Sequence, residues 1–259
     1  ILRKLRPDVG LIMGTHIFGN PCRIDDIALI AEEAEVPVVY DSAHALGSEY
    51  RGRKVGNCGE NAVFSLSGTK LITSGEGGII APASPEIAER LSYLRAYGFI
   101  GDYNTQQVGL NGKLSELHAA LGTLSLTLLE DAIATRQRLV ERYRQNLRQI
   151  SAIRFQNIAA TDRTTYNYFA IVCEHGRDDV AERLTRMGIQ SKKYFLPAHL
   201  QDAYQGYDAR SLPATNRLYE QILCLPLFNE LTMEQVDEVC EIVVDTYKKS
   251  TDLPLASGW

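Results

Sequence analysis

Phe64-Ser65-Leu66-Ser67-Gly68-Thr69-Lys70-Leu71-Ile72-Thr73-Ser74-Gly75-Glu76-Gly77-Gly78 is the stretch on which the reading of this chain turns. The run from Asn61 to Ser67 predicts a buried strand, and hydroxyls, a single lysine and a glycine cluster follow it directly. Lys70 therefore lies at a strand's end and not along a solvated helix face. A lysine held there, partly desolvated, binds its proton less tightly and can attack an aldehyde as a free amine. The glycines let the backbone turn tightly and approach a ligand closely. Taken alone, the segment suits a surface lysine on a glycine turn equally well.

Val36-Pro37-Val38-Val39-Tyr40-Asp41-Ser42-Ala43-His44 lies upstream and predicts a second buried strand ending in an aspartate, with a histidine three residues later. Ligands of parallel α/β sheets bind outside the carboxyl ends of the strands, so Asp41, Ser65 and Lys70 are expected to converge on one crevice. Pyridoxal phosphate requires such a pair: a lysine holds its aldehyde as a Schiff base, and a carboxylate keeps its ring nitrogen protonated. A charge-assisted hydrogen bond of that kind contributes roughly 1.5–3 kcal/mol. The other reading of Asp41 is a helix cap after the strand.

Asp41-Ser42-Ala43-His44, Phe64 to Lys70 and Gly75-Glu76-Gly77-Gly78 together resemble the pyridoxal phosphate core of the DegT/DnrJ/EryC1/StrS sugar aminotransferases. The resemblance extends to Thr15-His16-Ile17-Phe18-Gly19-Asn20-Pro21, to Leu110-Asn111-Gly112-Lys113-Leu114-Ser115-Glu116 and to Leu225-Pro226-Leu227-Phe228. It implies a fold type I transferase: an α/β domain whose mostly parallel central sheet carries helices on both faces, followed by a small α+β domain. It also implies that Ile1 falls inside the large domain, so that a segment with the first strands and a phosphate-gripping turn is expected to precede it.

Composition limits the alternatives. The chain has 259 residues, 45% hydrophobic and 23% charged, which is ordinary for a globular protein. A net charge of −5, from 27 Lys+Arg against 32 Asp+Glu, offers no electrostatic reason for nucleic acid or an anionic membrane as partner. Cys22, Cys58, Cys173, Cys224 and Cys240 form no Cys-x-x-Cys pair and read as free thiols of a reducing compartment, the cytoplasm. The five histidines show no metal-ligand spacing, so no metal is expected. No apolar run reaches the ~18 residues of a membrane span.

In chain order, Val9 to Met13 predicts a strand, Asp25 to Glu35 a helix and Val36 to Tyr40 a strand, a β-α-β unit with parallel strands. Gly78 to Ala81 predicts a returning strand and Pro85 to Tyr97 a helix, with a polar, mobile loop over Gly98 to Gln107. Leu114, Leu117, Leu121, Leu124 and Leu128 mark a helix with one apolar stripe, suited to core or dimer packing. A second helix pattern, Ile133 to Ile150, interleaves Arg136, Arg138, Arg142, Arg144 and Arg148, read as a solvated face. The division expected is residues 1–130 for the large domain and 131–259 for a bridging helix and the small domain. In the latter, Tyr168 to Cys173 and Ile189 to Phe195 predict strands, Asp178 to Met187 a helix, and Thr232 with Gln235 a capping box opening the last helix. Ser250 to Trp259 shows no periodicity and is assigned no role.

The family resemblance implies roles for single residues. Lys70 would hold the cofactor and act as general base, a function typically worth roughly 10²–10⁴-fold in rate. Asp41 would face the ring nitrogen, and His44, where many relatives carry glutamine, the ring or its phenolic oxygen. Ser65 would donate to the phosphate. Asn111 would reach the cofactor phosphate of a neighbouring subunit, making the functional unit a homodimer with shared sites. The expected reaction moves an amino group from an amino acid, glutamate by resemblance, to a nucleotide-linked keto-deoxysugar in surface-polysaccharide or glycoside biosynthesis. Lys192 and Lys193 are candidates for a substrate carboxylate or diphosphate, and His199 is read as a packing residue. Two rivals stay open: another fold type I enzyme, such as an amino-acid aminotransferase or cysteine desulfurase, and a non-catalytic cofactor-binding homologue.

Overall fold

The computed structural model of the chain describes residues 1–99, 101, 103–105, 107–204 and 212–251. These divide into two compact units, the first made of Ile1–Ala134 with Ile158–Asn167, the second of the remainder.

The first unit is built on four strands, β1 (Ile12–Thr15), β2 (Val38–Asp41), β5 (Asn61–Ser65) and β6 (Gly78–Ala81), in the order β1-β2-β5-β6. The first two pairings are parallel and the last is antiparallel. Helix α1 (Ile24–Glu33) supplies the crossover from β1 to β2 and buries Ile24, Ile27 and Ala31 against Ile12, Tyr40, Ala62 and Phe64 of the sheet. It ends where Glu35 takes φ +53 and Val36 N–H returns to Ala31 O at 3.0 Å, a left-handed cap. Between β2 and β5 runs a two-stranded hairpin, β3 (Glu49–Tyr50) with β4 (Arg53–Lys54). The basic turn of that hairpin is neutralised in place, since Arg51 and Arg53 both bind the Asp25 carboxylate.

Strand β1 lies later than Val9 to Met13 because Gly14 continues it. A Cβ there would stand 2.6 Å from Tyr40 Cε1, so glycine makes room for the buried tyrosine ring. The opposite sheet face is open, with Met13, Val63 and Ile80 exposed. Helix α2 (Pro85–Leu94) starts at Ser84, whose hydroxyl accepts Ile87 N–H, and α3 (Glu116–Leu126) starts likewise at Ser115. The leucine stripe of α3 does not enter the core of this unit: Leu117 is 84% exposed and Leu124 64%. Helix α4 (Leu129–Leu147) follows. Within the expected loop from Gly98 to Gln107, Ile100, Asp102 and Gln106 lie outside the described residues.

The second unit packs an antiparallel sheet of β7 (Ile153–Phe155), β8 (Phe169–Cys173) and β9 (Ile222–Leu225) with the later turns of α4 and with α5 (Arg177–Arg186), α6 (Pro213–Gln221) and α7 (Met233–Thr251). Its core includes Tyr143, stacked on Phe169 at 5.0 Å, and the fully buried Val180, Leu184, Val236 and Val243. Thr232 and Gln235 form the expected capping box, each side chain accepting the other's backbone N–H, at 3.0 and 3.2 Å. Ile189 to Phe195 does not form the expected strand. Only Lys192 pairs, with Cys224, because Tyr194 and Phe195 stack on each other and break the alternation a strand requires.

The arginines of α4 are not simply a solvated face. Arg136 is 7% exposed with Nε donating to Asn229, and Arg142 grips both oxygens of Asp237 at 2.7 Å. Lys193 is engaged as well, in an ion pair with Asp178. In the C-terminal tail, residues 252–259 lie outside the described residues.

Candidate functional site

Parallel strands place their carboxyl ends on one edge, and three such ends meet here. Thr15, Asp41 and Val63 are register partners across β1, β2 and β5, so His16, Asp41 and Ser65 emerge side by side. The β1–β2 ladder runs one residue further, with His16 N–H donating to Asp41 O at 2.9 Å. From Ser65 the chain enters the segment carrying Lys70 and returns as β6 with Gly78 opposite Ser65.

That segment is held by its own backbone and hydroxyls. Leu66 N–H donates to Gly77 O and Ser74 N–H to Leu66 O, both at 2.9 Å. Thr73 Oγ1 donates to Leu66 O and accepts Gly75 N–H, and Ser74 Oγ donates to Glu76 O at 2.8 Å. Gly77 has φ +144, and a Cβ on it would meet Leu114 Cδ1 at 2.7 Å. Lys70 N–H closes a turn on Ser67 O at 3.0 Å, and Leu71 N–H is taken by Asn167 Oδ1. The lysine is thus presented from a braced turn.

Asp41, His44 and Lys70 share one electrostatic environment. Burial holds the Lys70 ammonium below its ordinary value, and the Asp41 carboxylate pulls the other way. His44 is lowered to about 4, by burial first and by the Lys70 charge second, with Asp41 again opposing. Its Nδ1 accepts Phe18 N–H at 3.3 Å, which leaves the proton of the neutral ring on Nε2. Asp41 Oδ1 accepts Ala43 N–H at 3.0 Å, and the residues after it form turns. The helix-cap reading of Asp41 is thereby set aside, for no helix follows it.

Among the described residues the Ser65 hydroxyl has only long hydrogen bonds, both to Ser67 at 3.4 Å, so it is available to a ligand at the strand end. Asn111 is held elsewhere in the hydrogen-bond network. Its backbone bridges to Ala96, and among the described residues no hydrogen bond joins it to Asp41, His44, Ser65 or Lys70.

Two contributors escaped the sequence reading as site residues. Asn167 braces the lysine turn from 96 residues away, and no local pattern announces it. His16 is different: it ends a parallel strand as Asp41 does, so the same strand-end rule points to it. No group of three or more metal-ligating side chains occurs among the described residues.

Comparison with known proteins was made against this geometry. A sequence model of the DegT/DnrJ/EryC1/StrS aminotransferase family matches residues 1–244. The dTDP-4-amino-4,6-dideoxy-D-glucose transaminase of Shigella dysenteriae is 31% identical over 257 residues, 96% of this chain and 68% of the relative. GDP-perosamine synthase of Caulobacter vibrioides is 31% identical over 244 residues, 91% of this chain and 65% of the relative. The crystal structure of S. venezuelae DesV in complex with a ketimine intermediate superposes with a TM-score of 0.89 at 27% identity, over 98% of this chain and 68% of that one. The chain thus spans 65–68% of the length of these curated relatives.

Proposed function

The chain belongs to the DegT/DnrJ/EryC1/StrS aminotransferase family, and from that premise we propose that it holds pyridoxal 5′-phosphate and transfers an amino group from an amino acid, glutamate by resemblance, to a nucleotide-linked keto-deoxysugar. The observation that carries this reading is the shared field of Asp41, His44 and Lys70 at the carboxyl edge of the sheet. An amine with a loosened proton, an anionic carboxylate and an imidazole N–H are the donor set that a pyridine ring bearing an aldehyde and a phenolic oxygen requires. The residues fit the cofactor.

When bound, the cofactor supplies an aldehyde for amine exchange and a ring that withdraws electrons from the reacting carbon. Lys70 Nζ would be the attachment point and, once released, would serve as the base that takes up and returns a proton. Desolvation favours its neutral form, as both tasks require. Asp41 would keep the ring nitrogen protonated, His44 would offer its Nε2–H to the ring, and Ser65 would donate to the phosphate. The transaminase and synthase names of the relatives support a nucleotide-linked sugar as acceptor.

Asn111 serves a second subunit in this reading. The exposed leucines of α3 support a homodimer in which each chain completes its partner's site. Five free thiols support the cytoplasm as its compartment.

Single-turnover chemistry tests the proposal. With pyridoxal 5′-phosphate bound, glutamate is expected to yield one equivalent of 2-oxoglutarate per site, and a nucleotide-linked keto sugar added next is expected to be aminated. Formation of 2-oxoglutarate without amination of any such sugar would point to an amino-acid aminotransferase. Failure to retain the cofactor would leave the non-catalytic reading.

A further inference from the structure

The turn that carries His44 and the turn that carries Lys70 leave neighbouring strands, but the ladder between those strands stops short of both. Its last bond is Ser42 N–H on Val63 O at 2.8 Å. Beyond that point the chain runs as turns on either side, and a strap from far away in sequence, residues 162–167, reaches both.

The strap is anchored first on the hairpin. Glu49 and Arg163 exchange backbone hydrogen bonds at 2.8 and 2.9 Å, and Asp162 accepts Arg51 N–H at 2.9 Å. Arg163 adds ion pairs to Glu49 and Glu130. From that anchor the strap runs inward, with Thr164, Thr165 and Asn167 buried. Thr165 Oγ1 donates to the His44 carbonyl at 2.8 Å, and Thr165 N–H goes to Ser48 Oγ, which itself donates to Gly19 O at 2.6 Å. Two residues on, Asn167 Oδ1 accepts Leu71 N–H from the lysine turn, and Asn167 N–H donates to Phe18 O at 3.1 Å. Phe18 N–H is the donor that fixes the His44 ring through Nδ1, and the Phe18 ring stacks on that imidazole. The Phe18 turn is closed in its own right, by Gly19 N–H on His16 O at 3.1 Å and Cys22 N–H on His16 Nδ1 at 2.9 Å.

His44 is thus held twice from one strap, its carbonyl by Thr165 directly and its ring by Asn167 through Phe18. The same Asn167 holds the lysine turn. Tyr166, between the two, takes φ +49, a sparsely populated conformation that persists only where the surroundings impose it. We propose that Thr165 and Asn167 are positioning residues that set His44 against Lys70, clamping both turns to one strap so that imidazole and amine keep a single relative placement. These bonds go to backbone atoms of the two turns, so they fix where the reactive groups stand without using the Lys70 amine or the His44 Nε2–H. The clamp is a property of the chain itself, while its effect on the cofactor rests on the function proposed above.

Amide hydrogen exchange of the 259-residue chain without cofactor tests the clamp. Leu71 N–H is bonded to Asn167 and not to Thr165, so a purely local role for Thr165 would leave its protection unchanged. Thr165→Val keeps the shape of the side chain and removes the donor, and is expected to lower the protection of Leu71 N–H and Phe18 N–H by roughly 10-fold while the β2 amides keep theirs. Thr165→Ser, which retains the hydroxyl, should restore it. Unchanged Leu71 protection, or a fall shared equally by β2, overturns the proposal. Should Thr165→Val not fold, the parent decides: in exchange at rising denaturant the Phe18, Leu71, Thr165 and Asn167 amides are expected to open as one unit, and Leu71 opening separately from Thr165 overturns the clamp. A second arm adds pyridoxal 5′-phosphate and reads its visible absorbance. Retention is expected to fall roughly 10-fold in Thr165→Val and to recover in Thr165→Ser. Equal retention by the folded Val and Ser variants overturns the positioning role. A parent that binds no cofactor removes only the functional reading, and the exchange arm then decides alone.

Discussion

Leu71 N–H donates to Asn167 Oδ1 at 3.1 Å, joining the turn that presents Lys70 to a residue 96 positions away in sequence. The strand Asn61–Ser65 aims the lysine segment, and this bond fixes where its far side stops. Asn167 is itself 4% exposed, with its backbone N–H on Phe18 O at 3.1 Å. Asn167→Ala is expected to cost about 1–3 kcal/mol in chemical denaturation, because a backbone donor is left without its acceptor. Cofactor retention should fall with it. Unchanged retention in a destabilised variant would make the bond structural only.

The environment of Lys70 carries a sign that can be measured. Its folded-state proton affinity is lowered, so the unfolded chain binds more protons in the alkaline range just below the ordinary lysine value of ~10.4. Stability should therefore gain from this group as pH rises through that range, and Lys70→Met should flatten the gain. Lys70→Met should also abolish borohydride-stable cofactor labelling, checked by intact mass. Labelling that persisted would move the attachment elsewhere.

His16 and His44 act on the acid side. Both titrate near 4, below the ordinary value of ~6.5, so the unfolded chain takes up protons first as pH falls. Their contribution is complete above pH ~6.5 and is lost as pH falls towards 4. For the buried His16 the slope reaches at most ~1.4 kcal/mol per pH unit. His44→Gln should shallow the acid limb of a stability–pH curve. An unaltered limb would mean that His44 is solvated in solution.

Gly19 and Gly52 offer a matched pair. Both have positive φ, but a Cβ on Gly19 would lie 2.5 Å from Thr165 Oγ1 and 2.9 Å from the His44 carbonyl, while nothing lies within 4 Å of Gly52. Gly52→Ala should cost about 1 kcal/mol, the backbone penalty alone. Gly19→Ala should cost more, by ~2 kcal/mol or beyond, and should impair cofactor binding by displacing His44. Equal effects in thermal denaturation would show that the His44 turn yields easily.

The proposed sharing of sites makes a further forecast. Lys70→Ala and Asn111→Ala chains are each expected to be nearly inactive, and mixing them should restore activity through mixed dimers holding one intact site. Leu117→Glu, on the exposed stripe of α3, should yield monomers in sedimentation. Absence of complementation between two well-assembled variants would place Asn111 outside the partner's site.

How much was written locally follows from what kind of interaction each feature needs. The strand ends at Asp41 and Ser65, the returning strand at Gly78–Ala81 and the Thr232–Gln235 box all depend on periodicity or short spacing, and sequence by itself determined them. Gly14 misled the strand reading because its role is to clear Tyr40, a contact made 26 residues on. The leucines of α3, the burial of Arg136 and the capture of Lys193 by Asp178 were decided only by tertiary structure, since exposure and pairing depend on what packs opposite. The same holds at the site. Composition and order supplied an amine, a carboxylate and an imidazole, but only the parallel register brought them into one field, and only long-range backbone donors chose which nitrogen of each histidine carries its proton.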